Sequence, residues 1–498
     1  MEKFKFLNFN FCPMPLEDLR QTRISKVTDL RKNNIDPYPA ISHRQFDLSQ
    51  VSERFDELEK SATTIITAGR IFSIRPHGKL VFMDLKDEKG ELQLLLKADE
   101  IGEEKLKFWL DHLDIGDYVE IEGTVFITKV GEKTILAKTV TLLTKAIRPL
   151  PTQWYGLKDT ETLLRKRYLD LIMNKETREL FYKKTIFWDA IREFLKKDNF
   201  LEVETPVLES IPGGADAEPF MTHYNALNKD FYLRISLELA LKRLIVGGFE
   251  RVFEIGRVFR NEGIDAQHLQ DYTQMEFYWS YADYNKLMVF IEEMYKFVVE
   301  RVMGSLVTTY NGINIDWSKP WPKVDYYELF KEKAGLDLKI ATDTDLYNKA
   351  SALKLNPASN LGKGRLIDLI YKKVCRPSLI QPCFLINHPI EVSPLAKSFF
   401  DDHNRTQRFQ VLVAGAELGN GFSELNDPLD QRARFEEQMK LRESGDKEAQ
   451  MIDEDFIEAL EYGMPPTAGF GLSERFFSFI VDRPVRETVF FPATKNND

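Results

Sequence analysis

FEIGRVFR at residues 253–260 and YTQMEFYW at residues 272–279 are the two stretches that decide the fold of this chain. Both are rich in apolar and aromatic residues, and the turn-prone sequence Asn-Glu-Gly follows the first at residues 261–263. This pattern predicts an antiparallel hairpin. Because side chains alternate between the faces of a strand, four residues of the second stretch share one face. They are Tyr272, Gln274, Glu276 and Tyr278.

The shared face of the second strand combines an aromatic ring, an amide, a carboxylate and a phenol. Such a mixture suits a polar ligand better than an apolar core. The alternative is a solvated sheet face with an ordinary Arg–Glu pair, and the hairpin sequence alone leaves both interpretations open.

A second strand pattern, ELGNGFSE at residues 417–424, places Asn420, Phe422 and Glu424 on one face. This face again mixes an amide, an aromatic ring and a carboxylate. Strict alternation puts Glu417 on the opposite face. Glu417 therefore reaches the same pocket only if a local glycine permits a bulge in the strand.

The carboxylates of Glu238, Glu276 and Glu424 are hard to bury together without a cation between them, since like charges raise each other's pKa. A lysine ammonium group or a metal ion meets this requirement. The alternative is that one or more of these carboxylates is simply solvated.

A third segment, GFGLSERF at residues 469–476, predicts a strand end that runs into a helix. We expect Ser473 to cap this helix, which puts Arg475 in its first turn. There the helix dipole and the guanidinium group together favour a polyphosphate. Taken alone, two glycines before a helix are a weak signal, and a packing role for them is the more common explanation.

The composition predicts a globular protein of several domains. The chain has 498 residues, 43% of them hydrophobic, with a net charge of −10, which excludes a largely disordered or membrane-embedded chain. Residues 1–150 are nearly neutral, with 23 Lys and Arg against 24 Asp and Glu, so nucleic-acid binding there stays open. The three cysteines lack metal-binding spacing, and no segment predicts export or a membrane span. These features predict a cytoplasmic protein.

The order of patterns divides the chain into three parts. Residues 1–60 predict an N-terminal extension with a helix and a linker. Residues 61–150 carry five short strand patterns and one helical interlude, which fit a small closed β-barrel of the OB-fold type. Pro149 and Pro151 mark the boundary between this barrel and the next part of the chain. Residues 151–498 mix long strands with amphipathic helices in no regular βαβ rhythm, which predicts an α+β domain with an antiparallel sheet flanked by helices.

The three segments, in this order, resemble the three signature motifs of class II aminoacyl-tRNA synthetases. Further stretches are similar to the lysyl members of that class, among them IDPYP at residues 35–39, LKRLIVGGFE at residues 241–250 and EVSPLAK at residues 391–397. The resemblance implies an anticodon-binding OB barrel at residues 61–150 and a catalytic domain with an insertion at about residues 302–380. It also implies a homodimer.

The resemblance further implies that the chain activates lysine with ATP and Mg²⁺ and transfers it to the 3′ end of tRNA(Lys). Arg260 and Arg475 match the catalytic arginines that hold the α-phosphate and the γ-phosphate. Tyr272 matches a residue that stacks beneath adenine, and Glu417 matches a Mg²⁺ ligand. Such positioning and electrostatic roles are what adenylyl transfer requires of a protein. The implied ATP-binding positions are Arg260, Glu262, His268, Tyr272, Glu417 and Arg475.

The implied lysine-binding positions are Gly214, Glu238, Glu276, Tyr278, Asn420, Phe422 and Glu424. In this resemblance Glu238 and Glu424 receive the ε-ammonium group, helped by Tyr278. Carboxylates left without a cation penalise neutral amino acids of similar length. In the barrel, three residues match positions that stack on or hydrogen-bond the anticodon bases. They are Arg75, Phe82 and Gln93.

The chain departs from the family pattern at several positions. LQDY at residues 269–272 replaces the usual Asn-Pro-Glu-Phe and changes the loop that approaches adenine. Gln410 stands where the family commonly has a metal-binding glutamate, and an amide is the weaker Mg²⁺ ligand. Thr139 replaces a glutamate that often contacts the anticodon, and Ser473 replaces a glycine. Residues 1–13 have no counterpart in the pattern.

Three other functions are alternatives to the lysine-specific enzyme. An aspartyl or asparaginyl ligase is opposed by Glu238 and Glu424, since acidic or amide substrates require basic or amide partners. A paralogue that lysylates a protein is disfavoured by the intact barrel. A non-catalytic RNA-binding or regulatory descendant is suggested by Gln410 and the altered loop, but both Arg260 and Arg475 remain.

Overall fold

The computed structural model describes residues 15–151, 159–263, 269–358, 361–446 and 448–494. The chain divides into two compact units, residues 1–157 and residues 158–498. Within the described ranges no helix combines the length and the hydropathy that crossing a membrane requires. Cys375 and Cys383 are free thiols buried in the second unit, whereas Cys12 lies outside the described residues.

The first unit is a closed β-barrel with helices before the first strand and between the third and fourth strands. Its described strands are β1 (Ile65–His77), β2 (Leu80–Lys86), β3 (Glu91–Lys97), β4 (Tyr118–Ile127) and β5 (Lys133–Thr144). Its described helices are α1 (Leu16–Lys32), α2 (Leu48–Glu53), α3 (Phe55–Ser61), α4 (Ala98–Ile101) and α5 (Glu103–His112). Around the barrel the strands follow the order β1-β2-β3-β5-β4.

The barrel follows from alternation of inward and outward side chains. In β2, Val81, Met83 and Leu85 are fully buried, and the residues between them are partly exposed. The helical interlude is broken at Gly102, whose φ of +91° no helix accepts, so the one predicted helix is two short ones. The predicted five-stranded barrel is confirmed.

The second unit contains the remaining elements. Its described strands are β6 (Leu201–Glu202), β7 (Leu208–Glu209), β8 (Met221–Tyr224), β9 (Lys229–Leu233), β10 (Arg251–Phe259), β11 (Asp271–Ser280), β12 (Val307–Tyr310), β13 (Ile313–Asp316), β14 (Lys323–Asp325), β15 (Cys383–Ile386), β16 (Arg408–Val413), β17 (Ala416–Ser423) and β18 (Thr467–Ser473).

The helices of the second unit pack around these strands. The described α-helices are α6 (Thr160–Arg165), α7 (Arg167–Met173), α8 (Lys175–Lys197), α9 (Glu238–Val246), α10 (Tyr284–Met303), α11 (Tyr326–Ala334), α12 (Asp343–Ala352), α13 (Lys363–Ile370), α14 (Pro428–Glu443), α15 (Glu454–Glu461) and α16 (Arg475–Ile480). A π-helical turn spans Tyr371–Cys375, and 3₁₀ turns span Arg376–Ser378, Ile390–Val392 and Val485–Thr488.

A large sheet organises the second unit. Its described strands follow the order β14-β15-β16-β17-β18-β11-β10-β6, and neighbours are antiparallel except for β14–β15 and β10–β6. The predicted hairpin is β10–β11, with Phe253 opposite Phe277 and Glu254 opposite Glu276. The predicted α+β fold, an antiparallel sheet flanked by helices, is therefore confirmed.

One face of this sheet carries the main hydrophobic core. Phe277 on β11 and Phe470 on β18 are buried there together with Phe187 of α8 and Phe290 of α10. Asn199 ends the turn after α8 with a φ of +61°, a left-handed conformation that asparagine tolerates. Because the helices cover this face, the polar side chains of β11 are left on the other one.

Gly123 lies on β4 at a point where this strand closely approaches β5. A Cβ atom there would lie 2.1 Å from the Leu136 carbonyl oxygen of β5, where the pairing register shifts. We expect Gly123→Ala to lower the free energy of unfolding of the barrel by about 1–3 kcal/mol, because backbone must move to relieve the overlap. Chemical denaturation measures the change. Gly362→Ala is the control, since its methyl group meets only the Leu441 Cδ2 atom, at 3.3 Å; equal stability of both variants would contradict the close approach.

Candidate active site

A cavity of about 1000 Å³ opens on the sheet face opposite the aromatic core. The polar face predicted for β11 lines it, with contributions from Tyr272, Gln274, Glu276 and Tyr278. The neighbouring strands β16, β17 and β18 also contribute. The hairpin therefore does not present an ordinary solvated sheet face, since its polar side chains line the wall of a large concave site.

Glu417 and Asn420 reach this cavity from β17. Asn420 pairs with Gln410 of β16 in regular register, but the register then shifts between Val411 and Leu412. The irregularity turns Glu417 toward the cavity, as the alternation argument required. Phe422 also lines the cavity from the same strand.

Glu276 lies in the cavity wall with 3% of its surface exposed and is fully hydrogen-bonded. Its Oε1 accepts hydrogen bonds from the Ser236 hydroxyl at 2.7 Å, the Leu237 N–H at 3.0 Å and the Gln274 amide at 2.7 Å, and its Oε2 accepts one from the Tyr278 hydroxyl at 2.9 Å. Burial and the negative charge of Glu238 nevertheless raise the pKa of Glu276 to about 7. Glu276 thus titrates near neutral pH.

Glu238 and Glu424 form a second buried carboxylate cluster beside Glu276. Glu238 is the first residue of α9 and lines the cavity, whereas the side chain of Glu424 is fully buried and does not reach the cavity surface. The Lys242 ammonium group donates to Glu238 Oε1 at 2.5 Å and also contacts Glu424. Burial raises the pKa of both carboxyl groups, and the Lys242 charge opposes that rise. Lys242, a residue of this chain, therefore supplies part of the positive charge that the sequence argument required.

Gly214 lies against the start of α9 and lines the cavity. Its φ is +83°, and a Cβ atom there would lie 3.0 Å from the Glu238 Cβ and from the Ser236 hydroxyl oxygen. A side chain at this position would be strained and would press on the carboxylate cluster. Position 214, which the sequence analysis assigned to the pocket, is thus one that only glycine occupies without strain.

The residues predicted to contact phosphate and adenine also line the cavity. Arg260, directly after β10, has its guanidinium carbon 5.5 Å from the centre of the Tyr272 ring, and Glu262 and Arg475 line the same cavity. The structure thus brings together Arg260, Glu262, Tyr272, Glu417 and Arg475. His268 lies outside the described residues.

The predicted N-cap at Ser473 is wrong. Ser473 is the last residue of β18, and α16 begins at Arg475 after Glu474, which makes no side-chain capping hydrogen bond. The Ser473 hydroxyl accepts a hydrogen bond from the Arg475 N–H at 3.3 Å. The strand simply continues one residue further than the capping pattern suggests. Arg475 still falls in the first helical turn, as predicted.

Several residues of the cavity were missed by the sequence analysis. Arg408 donates to the Asn420 side-chain oxygen at 2.8 Å and to the Ser393 hydroxyl at 3.1 Å, so it fixes the Asn420 amide. His388 is buried beside it, and burial together with the Arg408 charge lowers its pKa to about 3. Lys363 and Arg365 of α13 also line the cavity. Arg408 stands two residues before Gln410, a position that the sequence analysis named, and this proximity could have signalled it.

No group of three or more His, Cys, Asp or Glu side chains in the described ranges is arranged to hold a metal ion. Glu417 and Gln410 nevertheless both line the cavity. The Gln410 Oε1 atom is buried and accepts no well-formed hydrogen bond from a described residue. A carboxylate and an amide oxygen that face one cavity fit a Mg²⁺ ion that takes its other ligands from phosphate and water.

The three barrel residues named from the sequence share the outer face of the first unit. Arg75 on β1 lies opposite Phe82 on β2, and Asp84 on β2 lies opposite Gln93 on β3. The Arg75 guanidinium group is paired with the Asp84 carboxylate at 2.5 and 2.7 Å. The Thr134 hydroxyl donates to the Gln93 side-chain oxygen at 2.9 Å. A ring, a cation and an amide therefore lie side by side on one face.

Comparisons with known proteins agree with both units. Residues 159–495 match the family of class II tRNA synthetases for D, K and N, and residues 65–143 match the OB-fold nucleic acid binding domain. A lysine–tRNA ligase of Thermotoga maritima is 44% identical over 486 residues, covering 96% of each chain. Another, from Moorella thermoacetica, is 44% identical over 481 residues, covering 96% of this chain and 98% of the relative.

The chain belongs to the lysine–tRNA ligase family. The resemblance stated from the motifs is thereby confirmed, and so is the enzyme class, an ATP-dependent aminoacyl-tRNA synthetase. The lysine–tRNA ligase of Clostridium acetobutylicum is likewise 44% identical, over 487 residues that cover 96% of this chain and 94% of the relative. Membership in the lysine–tRNA ligase family therefore spans nearly the whole chain.

Proposed function

We propose that this chain activates lysine with ATP and transfers it to the 3′ end of tRNA(Lys). A lysine carboxylate oxygen attacks the α-phosphorus of ATP, and the bond to the bridging oxygen breaks, so that lysyl-adenylate and pyrophosphate form. A hydroxyl of the terminal tRNA ribose then attacks the lysyl carbonyl carbon and AMP leaves. The observation that carries the proposal is the buried carboxylate cluster of Glu238 and Glu424 behind a cavity that Arg260 and Arg475 also line.

The catalytic residues of the proposal are Arg260 and Arg475. Arg260 holds the α-phosphate and stabilises the charge that grows there during attack, and Arg475 holds the γ-phosphate and covers the adenine. Tyr272 stacks beneath that ring, which its position 5.5 Å from the Arg260 guanidinium carbon supports. Glu262 and His268 complete the proposed ATP site. These groups position the reactants and need not transfer protons to them.

Mg²⁺ is the proposed cofactor, held by Glu417 and, more weakly, by Gln410. When bound, it would neutralise phosphate charge. Glu417 supplies a carboxylate oxygen, whereas Gln410 supplies a neutral oxygen, so this chain binds the ion with less negative charge than a family member that has two glutamates. The phosphates of ATP would then supply negative charge that Gln410 lacks.

The proposed lysine pocket holds the substrate by its ammonium group. Glu238 and Glu424 provide the negative charge, and Gly214, Glu276, Tyr278, Asn420 and Phe422 form the remaining wall. A neutral amino acid would leave a buried carboxylate without its cation, which costs several kcal/mol in comparable sites. Acidic and amide substrates are rejected for the same reason, and this opposes an aspartyl or asparaginyl ligase.

The remaining parts of the proposal concern assembly and the tRNA. We place the domain boundaries near residues 60 and 150, with an insertion at about residues 302–380. The barrel residues Arg75, Phe82 and Gln93 contact the anticodon by stacking and hydrogen bonding. The chain works as a homodimer in the cytoplasm.

Amino-acid-dependent exchange between ATP and labelled pyrophosphate tests the function. The purified wild-type chain with Mg²⁺ should catalyse exchange with lysine and with none of the other standard amino acids. Exchange with another amino acid would disprove the pocket assignment and preserve the enzyme class. No exchange in folded dimeric protein, with tRNA binding retained, would favour the non-catalytic RNA-binding function instead.

The pKa of Glu276 predicts how lysine activation depends on pH. Because that pKa is raised to about 7, Glu276 is protonated below pH 7 and ionised above it. A bound ammonium group favours the ionised form, so the KM for lysine in the exchange reaction should fall several-fold as the pH rises from about 6 to about 8.

Glu276→Gln provides the matched comparison for this titration. The glutamine oxygen keeps the three hydrogen bonds at Oε1, and its amide nitrogen donates to the Tyr278 oxygen, so the wall is preserved while the charge is lost. The KM for lysine should then be nearly flat over the same pH range. Glu292→Gln, at a carboxylate of α10 that does not line the cavity, should keep the wild-type slope; an unchanged slope in Glu276→Gln would contradict the assignment.

Phe82 on the barrel tests the anticodon contact. Loss of a base-stacking ring costs about 1–3 kcal/mol, so Phe82→Ala should raise the Kd for tRNA(Lys) by roughly 5- to 150-fold. Lysine-dependent exchange without tRNA should not change. Tyr118→Ala is the control, because Tyr118 is an exposed ring on β4 of the same barrel, with an arginine partner, Arg70, at 4.5 Å. Equal tRNA affinity of both variants would rule out Phe82 as the stacking residue.

A further inference from the structure

Lys242 is the most deeply buried cation beside the proposed lysine pocket. It lies one turn after Glu238 on α9, and its side chain has no exposed surface. Its ammonium nitrogen contacts both Glu238 and Glu424. It also lies 5.4 Å from the centre of the Phe422 ring and 5.9 Å from that of Phe456. The ammonium group is therefore fixed by two carboxylates and enclosed by aromatic rings.

One ammonium group faces two carboxylates around Lys242. Glu276 has its own four hydrogen-bond donors and does not depend on Lys242. Glu238 and Glu424 thus share one ammonium group, so this buried cluster carries a net charge of about −1 when both carboxylates are ionised. Glu424 Oε1 is buried and accepts no well-formed hydrogen bond from a described residue. The described residues thus supply this cluster with two carboxylates and one ammonium group.

We infer that Lys242 is a positioning residue that sets the charge of the lysine pocket. Its ammonium group holds Glu238 and Glu424 together from behind the cavity wall and cancels one of their two charges. One negative charge of the two carboxylates then remains to attract the side-chain ammonium group of the substrate. This inference rests on the proposed activation of lysine and adds to it a residue that does not touch the substrate.

The contrasting explanation is that Lys242 only fills space and stabilises the fold. The two explanations differ when Glu424 is neutralised. Glu424→Gln leaves Glu238 paired with Lys242, a cluster of zero net charge that no longer attracts an ammonium group. Adding Lys242→Met then restores a net charge of −1, whereas a purely structural role predicts that the second substitution adds further damage.

The experiment measures the KM for lysine and the KM for ATP in pyrophosphate exchange. The chains compared are the wild type, Lys242→Met, Glu424→Gln and the double variant. Lys296→Met is the control. Lys296 pairs with Glu292, four residues earlier on α10, just as Lys242 pairs with Glu238 on α9, but neither Lys296 nor Glu292 lines the cavity. An unchanged KM for ATP, together with circular dichroism, identifies the variants that have folded.

Each single variant should raise the KM for lysine on the order of tenfold or more. In Glu424→Gln no net charge is left for the substrate, and in Lys242→Met the two carboxylates are no longer held together. The double variant should have a KM for lysine several-fold below that of Glu424→Gln. A double variant worse than Glu424→Gln, or a wild-type KM in Lys242→Met, would overturn the inference. If Lys242→Met alone does not fold, the comparison of Glu424→Gln with the double variant still decides between the positioning role and the purely structural role. Absence of lysine-dependent exchange in the wild type would instead refute the proposed function.

Discussion

The burial of negative charge in one cavity wall is the constraint on which the rest of the catalytic unit depends. An ionised carboxylate that loses water without gaining partners costs several kcal/mol. The protein meets this cost in two ways. Glu276 receives four hydrogen bonds, and Glu238 and Glu424 share the Lys242 ammonium group. Both solutions hold only while β11, β17 and α9 keep their relative positions.

The sheet supplies that rigidity from its other face. Phe277 and Phe470, whose neighbours in sequence face the cavity, are packed against the helices α8 and α10. An interior packed to this density resists small displacements, so the polar side chains are positioned by the aromatic ones behind them. The strand irregularity beside Gly419 then turns Glu417 into the cavity wall, whereas regular alternation would place it on the other face of the sheet.

Much of this arrangement could be predicted from local patterns. The hairpin, its polar face and the five barrel strands follow from alternation and turn residues, which act over a few positions of the chain. The contact between Lys242 and Glu424 could not be predicted, because the two residues are far apart in sequence and only the fold brings them together. The failed cap at Ser473 has a different cause: pairing with Gln274 of β11 makes Ser473 the last residue of β18, although its residue type favours a cap.

The same charge arrangement explains why specificity and catalysis need not compete in this cavity. In the proposed function the cations Arg260 and Arg475 attract phosphate and the carboxylate cluster attracts ammonium, so a substrate that enters with its charges reversed is repelled by both groups. Lysine carries a carboxylate and a side-chain ammonium group separated by four methylene groups and the α-carbon. Only a molecule with both charges satisfies both regions at once, and its carboxylate is then held where the phosphate is attacked.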